Sequence, residues 1–326
     1  MSAAPGSPIV SDPAELGRRL REGDRGAAPA ALNLIEDRSP AGRERARELL
    51  AAASAAEEVG HLVGVTGPPG AGKSSLLSAL VRRWRELGRT VAVLAVDPSS
   101  RRSGGSLLGD RARIEHDPRD GGVLIRSTAA GTRLGGLAPS TRDAVQALTP
   151  AYDIVVVETV GVGQSEVDVE EVCDTVAVVV QPASGDALQF LKAGIMEVPD
   201  VLVVTKSDLG DVALRARRDL ASALRALGAR DTPVVSVSSL APPTGIDDLV
   251  EALDAHRAKL DLPAQRLRAR RLTALADLVA ERGEAALRAL GGRREAQRLL
   301  ESLDPALDAP ALVEALERQA REGDGE

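Results

Sequence analysis

The stretch Gly67-Pro68-Pro69-Gly70-Ala71-Gly72-Lys73-Ser74 fits the pattern G-x-x-x-x-G-K-[ST] of a phosphate-binding loop. The apolar run before it, residues 61–66, predicts a short buried strand. The segment from Ser75 to Val81 has apolar residues at helical spacing. Because a strand, a glycine-rich loop and a helix follow one another, the pattern indicates phosphate binding rather than an ordinary glycine-rich turn.

The loop's residue types suit a nucleotide. Glycines let successive backbone N–H groups point at a phosphate, and the helix N-terminus adds its positive dipole end. Lys73 supplies a positive charge for the β- and γ-phosphates, and the Ser74 hydroxyl is a ligand for Mg²⁺. The predicted nucleotide-binding residues here are Gly67, Pro68, Pro69, Gly70, Ala71, Gly72, Lys73, Ser74 and Ser75.

The length, aromatic content and net charge of the chain limit the classes of protein to which it can belong. The chain has 326 residues, enough for one large α/β domain with helical additions or for two domains. Only three residues are aromatic, so stacking of bases on aromatic rings is not expected. The net charge of −7 argues against a nucleic-acid or acidic-membrane partner.

Cysteine usage and the N-terminus suggest the compartment. Cys173 is the single cysteine, so no internal disulfide forms, as is usual in a reducing compartment. The first residues lack the basic region and apolar core of a signal peptide, and no apolar run reaches membrane-spanning length. We therefore expect a cytoplasmic protein.

Strand and helix patterns alternate from residue 61 to about 260, and the strands are almost continuously apolar. Such strands are typical of a mostly parallel sheet covered on both faces. The sequence thus predicts an α/β fold, a P-loop NTPase with a mostly parallel, doubly wound sheet flanked by N-terminal and C-terminal helical segments. Beyond residues 61–66, the predicted strands are 90–96, 122–125, 153–158, 175–180, 201–205 and 233–237.

Composition also suggests the domain limits. Residues 1–11 are expected to be disordered, and 12–58 to form helices, with Asp12 as the first cap and Pro13 after it. Residues 59–262 would form the P-loop domain. Residues 263–326 are again helical and highly charged, and would serve oligomerisation or pack on their own domain.

Polar residues follow the predicted strands at the points where these strands end. They are Asp97, Glu158, Thr205-Lys206-Ser207-Asp208 and Ser238-Ser239. In doubly wound sheets ligands bind beyond the carboxyl ends of the strands. Together with the phosphate-binding loop, five strand ends therefore place polar residues at one edge of the sheet.

Thr205-Lys206-Ser207-Asp208 fits [NT]-K-x-D, the guanine-reading loop of GTP-binding proteins. The Asp208 carboxylate can accept hydrogen bonds from guanine N1–H and the 2-amino group, which adenine does not offer as a pair. Lys206 can lay its methylene stem over the base. Ser238 and Ser239 would then form the loop whose backbone contacts guanine O6.

Glu158-Thr159-Val160-Gly161 lies where GTPases carry D-x-x-G. The acid would hold Mg²⁺, and the N–H of Gly161 would meet the γ-phosphate. Asp97, after a strand, is a further metal candidate. For Asp110, a solvated loop acid is an equal alternative from its sequence context.

Asp186 and Lys192 lie in a polar stretch that enters a helical pattern. From the residues alone, Asp186 is a helix cap and Lys192 an ordinary surface lysine. No Cys/His or Ser/His/Asp arrangement indicates a covalent catalyst.

Several motifs together closely resemble the MeaB-type GTPases, the G-protein chaperones of adenosylcobalamin-dependent acyl-CoA mutases, once described as ArgK-type transport kinases. The resemblance is strong over residues 60–260, and E-T-V-G-V-G-Q-S-E is its most specific motif. The matching segments are 96–100, 103–111, 134–137, 158–166 and 185–189 followed by Lys192.

The resemblance implies a homodimer that hydrolyses GTP to GDP and phosphate, gates cofactor loading and protects a partner such as methylmalonyl-CoA mutase. It implies that Asp97, Asp110 and Glu158 serve the Mg²⁺ site. It places Asp186 and Lys192 in the family's mobile switch loop, with catalytic roles. Lys192 would neutralise charge on the transferring phosphoryl group, as an arginine finger does.

The chain departs from the family pattern at several positions. Thr205 replaces the usual Asn, Gly131 stands at an expected Arg, and Ala187 stands where an acid is common. The C-terminal helices lack the usual tryptophan. Hydrolysis rate, partner choice and dimer geometry therefore stay open.

Other classes stay open too. A metallochaperone GTPase for nickel would show His or Cys clusters, and a signal-recognition GTPase would need a basic, Met-rich module; this chain has three His, one Cys and two Met. An ArgK-type transport ATPase or kinase would prefer ATP, which Asp208 opposes. A non-hydrolysing scaffold is a further alternative.

Overall fold

One parallel sheet forms the centre of the molecule. The computed structural model describes residues 12–37, 39–54, 59–97, 114–129, 137–159, 165–182, 199–305, 307 and 309–323. Within these ranges seven strands lie in the order β3-β2-β4-β1-β5-β6-β7, and every neighbouring pair is parallel. The strands are β1 (His61–Thr66), β2 (Val91–Asp97), β3 (Val123–Ala129), β4 (Ile154–Thr159), β5 (Thr175–Val180), β6 (Val201–Val204) and β7 (Val234–Ser236).

Helices cover both faces of this sheet, which confirms the doubly wound fold. In chain order the described helices are α1 (Pro13–Arg21), α2 (Ala28–Ile35), α3 (Pro40–Ala53), α4 (Lys73–Glu86), α5 (Pro139–Leu148), α6 (Ser165–Val172), α7 (Asp211–Ala226), α8 (Ile246–Arg257), α9 (Leu262–Arg282), α10 (Glu284–Ala289), α11 (Arg293–Ser302) and α12 (Ala309–Gly323). Short 3-10 turns lie at Arg25–Ala27 and Ser207–Leu209.

The apolar strands divide their side chains between two cores. In β4, Val155 and Val157 join one core, whereas Ile154 and Val156 join the other. Helices α1, α2, α3, α5, α6 and α7 contribute to the first core, and α4 and α8 to the second. Because both faces are buried, the strands need apolar residues at successive positions, which explains their continuous apolar sequence.

Strand β3 is longer than its apolar run predicts. The expected strand at 122–125 continues to Ala129, through the polar residues Arg126, Ser127 and Thr128. β3 lies at the edge of the sheet, and Arg126 donates through Nε to Glu36 Oε1 at 3.0 Å and through Nη2 to Asn33 Oδ1 at 2.9 Å. Partners on the N-terminal helices therefore replace the burial that hydrophobic residues provide in the central strands.

The N-terminal helices begin where capping residues predict. Asp12 accepts a hydrogen bond from Ala14 N at 3.1 Å, with Pro13 at the first helical position. Ser39 caps α3 in the same way through Gly42 N, followed by Pro40. Helices α1–α3 share an apolar core with α5, so they pack on one face of the sheet.

The C-terminal helices have an apolar core of their own, formed by α9, α10, α11 and α12. They are joined to the sheet at its amino edge. Arg266 on α9 donates to the Gly60 carbonyl at 2.8 Å and pairs with Asp174 at 3.0 Å. The buried Asp174 carboxylate also accepts Leu62 N of β1 at 2.9 Å. One carboxylate thus joins the start of β1 to the C-terminal helices.

Two histidines meet at this same amino edge. His61 Nε2 lies 2.7 Å from Thr175 Oγ1, which lies 2.9 Å from His256 Nδ1. His256 Nε2 lies 3.2 Å from Asp200 Oδ1. Burial, and then the nearby positive charge of Arg257, lowers the pKa of His61 from 6.5 to about 3, so this side chain is neutral near neutral pH.

We expect His61 to make folding stability depend on pH. The unfolded chain protonates this histidine below about pH 6.5, whereas the folded chain keeps it neutral, so the free energy of unfolding falls as pH decreases. From about pH 7.5 to about pH 5.5 the loss from this residue is about 1.4 kcal/mol. Urea denaturation of the native protein and of His61→Gln at both pH values checks this. Equal losses in the two proteins would contradict it.

Candidate functional site

The phosphate-binding loop joins β1 to α4 at the carboxyl edge of the sheet. Three of its glycines have positive φ: 142° at Gly67, 76° at Gly70 and 88° at Gly72. A β-carbon on Gly67 would lie 2.1 Å from the Val179 carbonyl oxygen, so both the dihedral angle and the space require glycine. The strand, loop and helix predicted from the sequence are all present.

Lys73 is the first residue of α4 and is buried, with 6% of its surface exposed. Its ammonium donates to the carbonyl of Gly67 at 2.7 Å and to that of Pro68 at 3.2 Å. The charged group therefore lies over the loop that begins at Gly67. This places a positive charge beside the backbone amides at the start of α4, where a phosphate would be bound.

Ser74 and Glu158 come together across the loop. The Ser74 hydroxyl donates to Glu158 Oε1 at 3.3 Å, and Glu158 lies at the carboxyl end of β4, in register with Val65. A hydroxyl and a carboxylate are hard oxygen donors of the type that Mg²⁺ prefers, so these two side chains fit that ion.

The side chains of the remaining predicted metal ligands are outside what the structure describes. Asp97 ends β2 at the same edge, but only its backbone is described. Asp110 and Gly161 lie outside the described residues, as do Asp186, Lys192, Gly131 and Ala187. Within the described ranges, no three His, Cys, Asp or Glu side chains cluster as a metal site.

The loop after β6 is bonded directly to the phosphate-binding loop. The Thr205 hydroxyl donates to the Ala71 carbonyl at 2.6 Å and lies 3.1 Å from the Val180 carbonyl. Lys206 takes a left-handed backbone conformation, with φ of 54°, and its ammonium donates to the Gly70 carbonyl at 3.3 Å. The two loops therefore hold one another in place.

Asp208 and Ser238 are joined by a hydrogen bond between their side chains. The Ser238 hydroxyl donates to Asp208 Oδ1 at 2.7 Å, and Ser207 N donates to the Val237 carbonyl at 3.0 Å. Ser238 also pairs through its backbone with Thr244. The residues predicted to read a base thus form one cluster, with Ser239 next in the chain.

One residue of this cluster was not predicted. Gln181 follows β5, and its side-chain oxygen accepts a hydrogen bond from the Lys206 ammonium at 2.5 Å. The pattern that singled out Asp97 and Glu158, a polar residue directly after an apolar strand, also applies to Gln181. Because Gln181 is uncharged and belongs to none of the motifs above, the sequence alone does not indicate a role for it.

Cys173 is a buried free cysteine, and its surroundings do not favour a nucleophilic role. Its thiol is fully buried beside Gly64 in the middle of β1. Burial, and then the nearby Asp174 carboxylate, raises the pKa of Cys173 well above its usual value, so the reactive thiolate is disfavoured.

Comparison with known proteins identifies the family. The model of the methylmalonyl-CoA mutase-associated GTPase MeaB matches residues 28–290. A protein of Pyrococcus abyssi that is named as a GTPase is 42% identical over 255 residues, which are 76% of each chain. The chain belongs to the MeaB family of GTPases. Its activity is therefore that of a GTP hydrolase with a P-loop.

Two further proteins extend the comparison. The mitochondrial methylmalonic aciduria type A homolog of Caenorhabditis elegans is 40% identical over 225 residues, 65% of this chain and 56% of that protein. The crystal structure of a LAO/AO transport system kinase covers 98% of this chain and 100% of its own, with 28% identity and a TM-score of 0.66. The fold is thus shared along nearly the whole chain.

No helix in the described part of the chain is both long and apolar enough to cross a membrane.

We expect the Thr205 hydroxyl to be required for a stable nucleotide site. Thr205→Val keeps the shape but removes the donor to the buried Ala71 carbonyl, which costs about 1–3 kcal/mol. The expected result is a lower free energy of unfolding and a KM for GTP raised about tenfold. Urea denaturation and steady-state kinetics measure the two effects.

Thr205→Ser is the matched control, because it keeps the hydroxyl. It should stay close to the native protein in both measurements. If the Val and Ser variants behaved alike, the hydrogen bond to Ala71 would have no role in the site.

Proposed function

We propose that this MeaB-family GTPase is a G-protein chaperone that couples its nucleotide state to an adenosylcobalamin-dependent acyl-CoA mutase, such as methylmalonyl-CoA mutase. The observation that carries the proposal is the match to the mutase-associated family over residues 28–290. Hydrolysis would gate loading of the cobalamin cofactor and protect the mutase from inactivation. The name of the C. elegans relative refers to a methylmalonate disorder, which agrees with such a partner.

In the reaction, water attacks the γ-phosphorus and the bond to the β-phosphate oxygen breaks, which yields GDP and phosphate. The amides of the loop from Gly67 to Gly72 and the start of α4 would bind the phosphates. The Lys73 ammonium would offset the negative charge of the β- and γ-phosphates. No described side chain is assigned as a general base.

Mg²⁺ would be held by Ser74 and Glu158, with Asp97 and Asp110 as further ligands by family resemblance. When bound, it supplies positive charge to the phosphate oxygens. We further propose that Gly161 contacts the γ-phosphate, and that Asp186 and Lys192 assist hydrolysis when the mutase binds. Lys192 would then carry the charge that an arginine finger supplies in other GTPases.

Guanine would be selected by the cluster at the ends of β6 and β7. The Ser238 hydroxyl donates to Asp208 Oδ1 at 2.7 Å, and this bond fixes the orientation of the carboxylate. A carboxylate can accept from both guanine N1–H and the 2-amino group. Lys206 would cover one face of the base with its stem, and the backbone at Ser238 and Ser239 would contact O6.

Asp208→Asn should change the preferred base from guanine to xanthine. The amide cannot accept two hydrogen bonds from guanine, so we expect the KM for GTP to rise by about 100-fold. The same amide can donate to the second carbonyl of xanthine, so xanthosine triphosphate should become a substrate. Steady-state kinetics with GTP, ATP and xanthosine triphosphate test this. An unchanged KM for GTP would contradict the role of Asp208.

We also propose a cytoplasmic homodimer that binds neither nucleic acid nor a membrane. Residues 263–326, which carry most of the helices α9–α12, would provide the dimer contact, as the family resemblance implies. The formal charge of −7 disfavours polyanionic partners.

Hydrolysis measured with and without the partner tests the proposal. GTP turnover by the purified protein should rise at least about tenfold when a B12-dependent acyl-CoA mutase from the same genome is added. Lys192→Ala should remove this acceleration and retain the basal rate of the protein alone.

The alternatives predict different outcomes of the same experiment. Preference for ATP would favour a transport-associated kinase or ATPase, the class to which the name of the structural relative refers. GTP turnover that the mutase leaves unchanged would favour a metallochaperone or scaffold role.

A further inference from the structure

The ammonium of Lys206 has two partners in the protein itself. It donates to the Gly70 carbonyl at 3.3 Å and to the side-chain oxygen of Gln181 at 2.5 Å. Gly70 belongs to the phosphate-binding loop, and Gln181 follows the carboxyl end of β5. The tip of the lysine is therefore fixed between two different elements of the sheet edge.

The backbone fixes the other end of the same side chain. Lys206 is the only described residue other than glycine with a positive φ, 54°. For a residue with a β-carbon this conformation costs about 1–2 kcal/mol, so the surrounding contacts must maintain it. With the Cα–Cβ bond set by the backbone and the ammonium set by Gly70 and Gln181, the methylene stem lies along a defined path.

A fixed stem is an advantage for binding a flat ring. A free lysine side chain has about 2 kcal/mol of rotamer entropy to lose when it is immobilised. If the protein's own groups already hold it, a ligand that packs on the stem loses less affinity to this ordering.

We propose that Gln181 is a positioning residue for nucleotide binding, which holds Lys206 in place as the surface on which the guanine base rests. The inference rests on the proposed base-reading role of the Thr205–Asp208 loop. Gln181 acts through Lys206 and contributes as a hydrogen-bond acceptor. Its effect concerns affinity for the base, so it should appear in the binding of GDP and in the KM for GTP more than in kcat.

Two substitutions separate this role from simple packing. Gln181→Leu keeps the approximate size but removes the acceptor, whereas Gln181→Glu keeps acceptor oxygens opposite the ammonium. If Gln181 only filled space, the apolar Leu would be tolerated and the charged Glu would be harmful. If it holds Lys206, the order is reversed.

The experiment is a titration of GDP with the full-length protein, accompanied by steady-state GTP kinetics. We expect Gln181→Leu to raise the Kd for GDP and the KM for GTP about 5- to 20-fold, close to the effect of losing one ordinary hydrogen bond. Its kcat should change less than its KM, and Gln181→Glu should bind GDP within about twofold of the native protein. Gln146→Leu is the control, because Gln146 on α5 is bonded to Ser54 at the end of α3 and lies outside the loop cluster.

Repeating the substitution in a Lys206→Ala protein distinguishes failure of the positioning role of Gln181 from failure of the base-reading role of the loop. In Lys206→Ala, which itself should bind GDP more weakly, adding Gln181→Leu should have no further effect. If Lys206→Ala weakens GDP binding but Gln181→Leu does not, the role of Gln181 is refuted and the base-reading loop stands. If Lys206→Ala binds GDP as the native protein does, the base-reading role is refuted and the positioning role with it. A tolerated Leu together with a harmful Glu would show that Gln181 only fills space, and equal losses in the two variants would refute its role as a hydrogen-bond acceptor.

Discussion

The hydrogen bond from the Thr205 hydroxyl to the Ala71 carbonyl, 2.6 Å long, joins the two loops on which the site depends. One loop follows β1 and the other follows β6, and they are separated by more than a hundred residues in the chain. Because the Thr205 backbone N–H also donates to the Val180 carbonyl at the end of β5, at 2.9 Å, this one buried residue connects both loops to the central strands. The phosphate-binding loop and the loop proposed to read the base are thereby held at a set separation.

The close approach at Gly67 reinforces this arrangement. The loop crosses directly over the Val179 carbonyl of β5, with no space for a side chain. Lys73, folded back onto the Gly67 and Pro68 carbonyls, closes the loop from the helix side. The path of the phosphate-binding loop thus follows largely from the register of β1 with β5.

Much of the sheet and of the candidate site could be predicted from the sequence, because the apolar runs and the motifs that indicate them are strong and local. Continuous runs of apolar β-branched residues indicated the central strands. The polar residues at or soon after the ends of these strands, Glu158, Thr205 and Asp208, were then candidates for the site. Strand β3 was less predictable beyond residue 125, because an edge strand satisfies Arg126 with Glu36 and Asn33 rather than by burial. Such partners come from distant parts of the chain.

The role of Gln181 and the left-handed conformation of Lys206 could not be predicted from the sequence either, because they too depend on distant parts of the chain. No motif marks a glutamine whose importance comes from an ammonium 25 residues away. The pairing of His61 with His256 through Thr175 is likewise invisible in a sequence where these histidines stand far apart. Side-chain networks of this kind depend on which strands are neighbours, and that becomes known only with the order of the sheet.

The buried carboxylate of Asp174 gives β1 a function beyond its place in the sheet. At its amino end the strand is bonded through Leu62 N to a group that also holds Arg266 of α9, and at its carboxyl end it continues into the phosphate-binding loop. This strand has six residues and is paired on both sides, with β4 and with β5. Through β1, the Asp174 carboxylate and the C-terminal helices are therefore connected to the phosphate-binding loop, some 20 Å away at about 3.3 Å per residue.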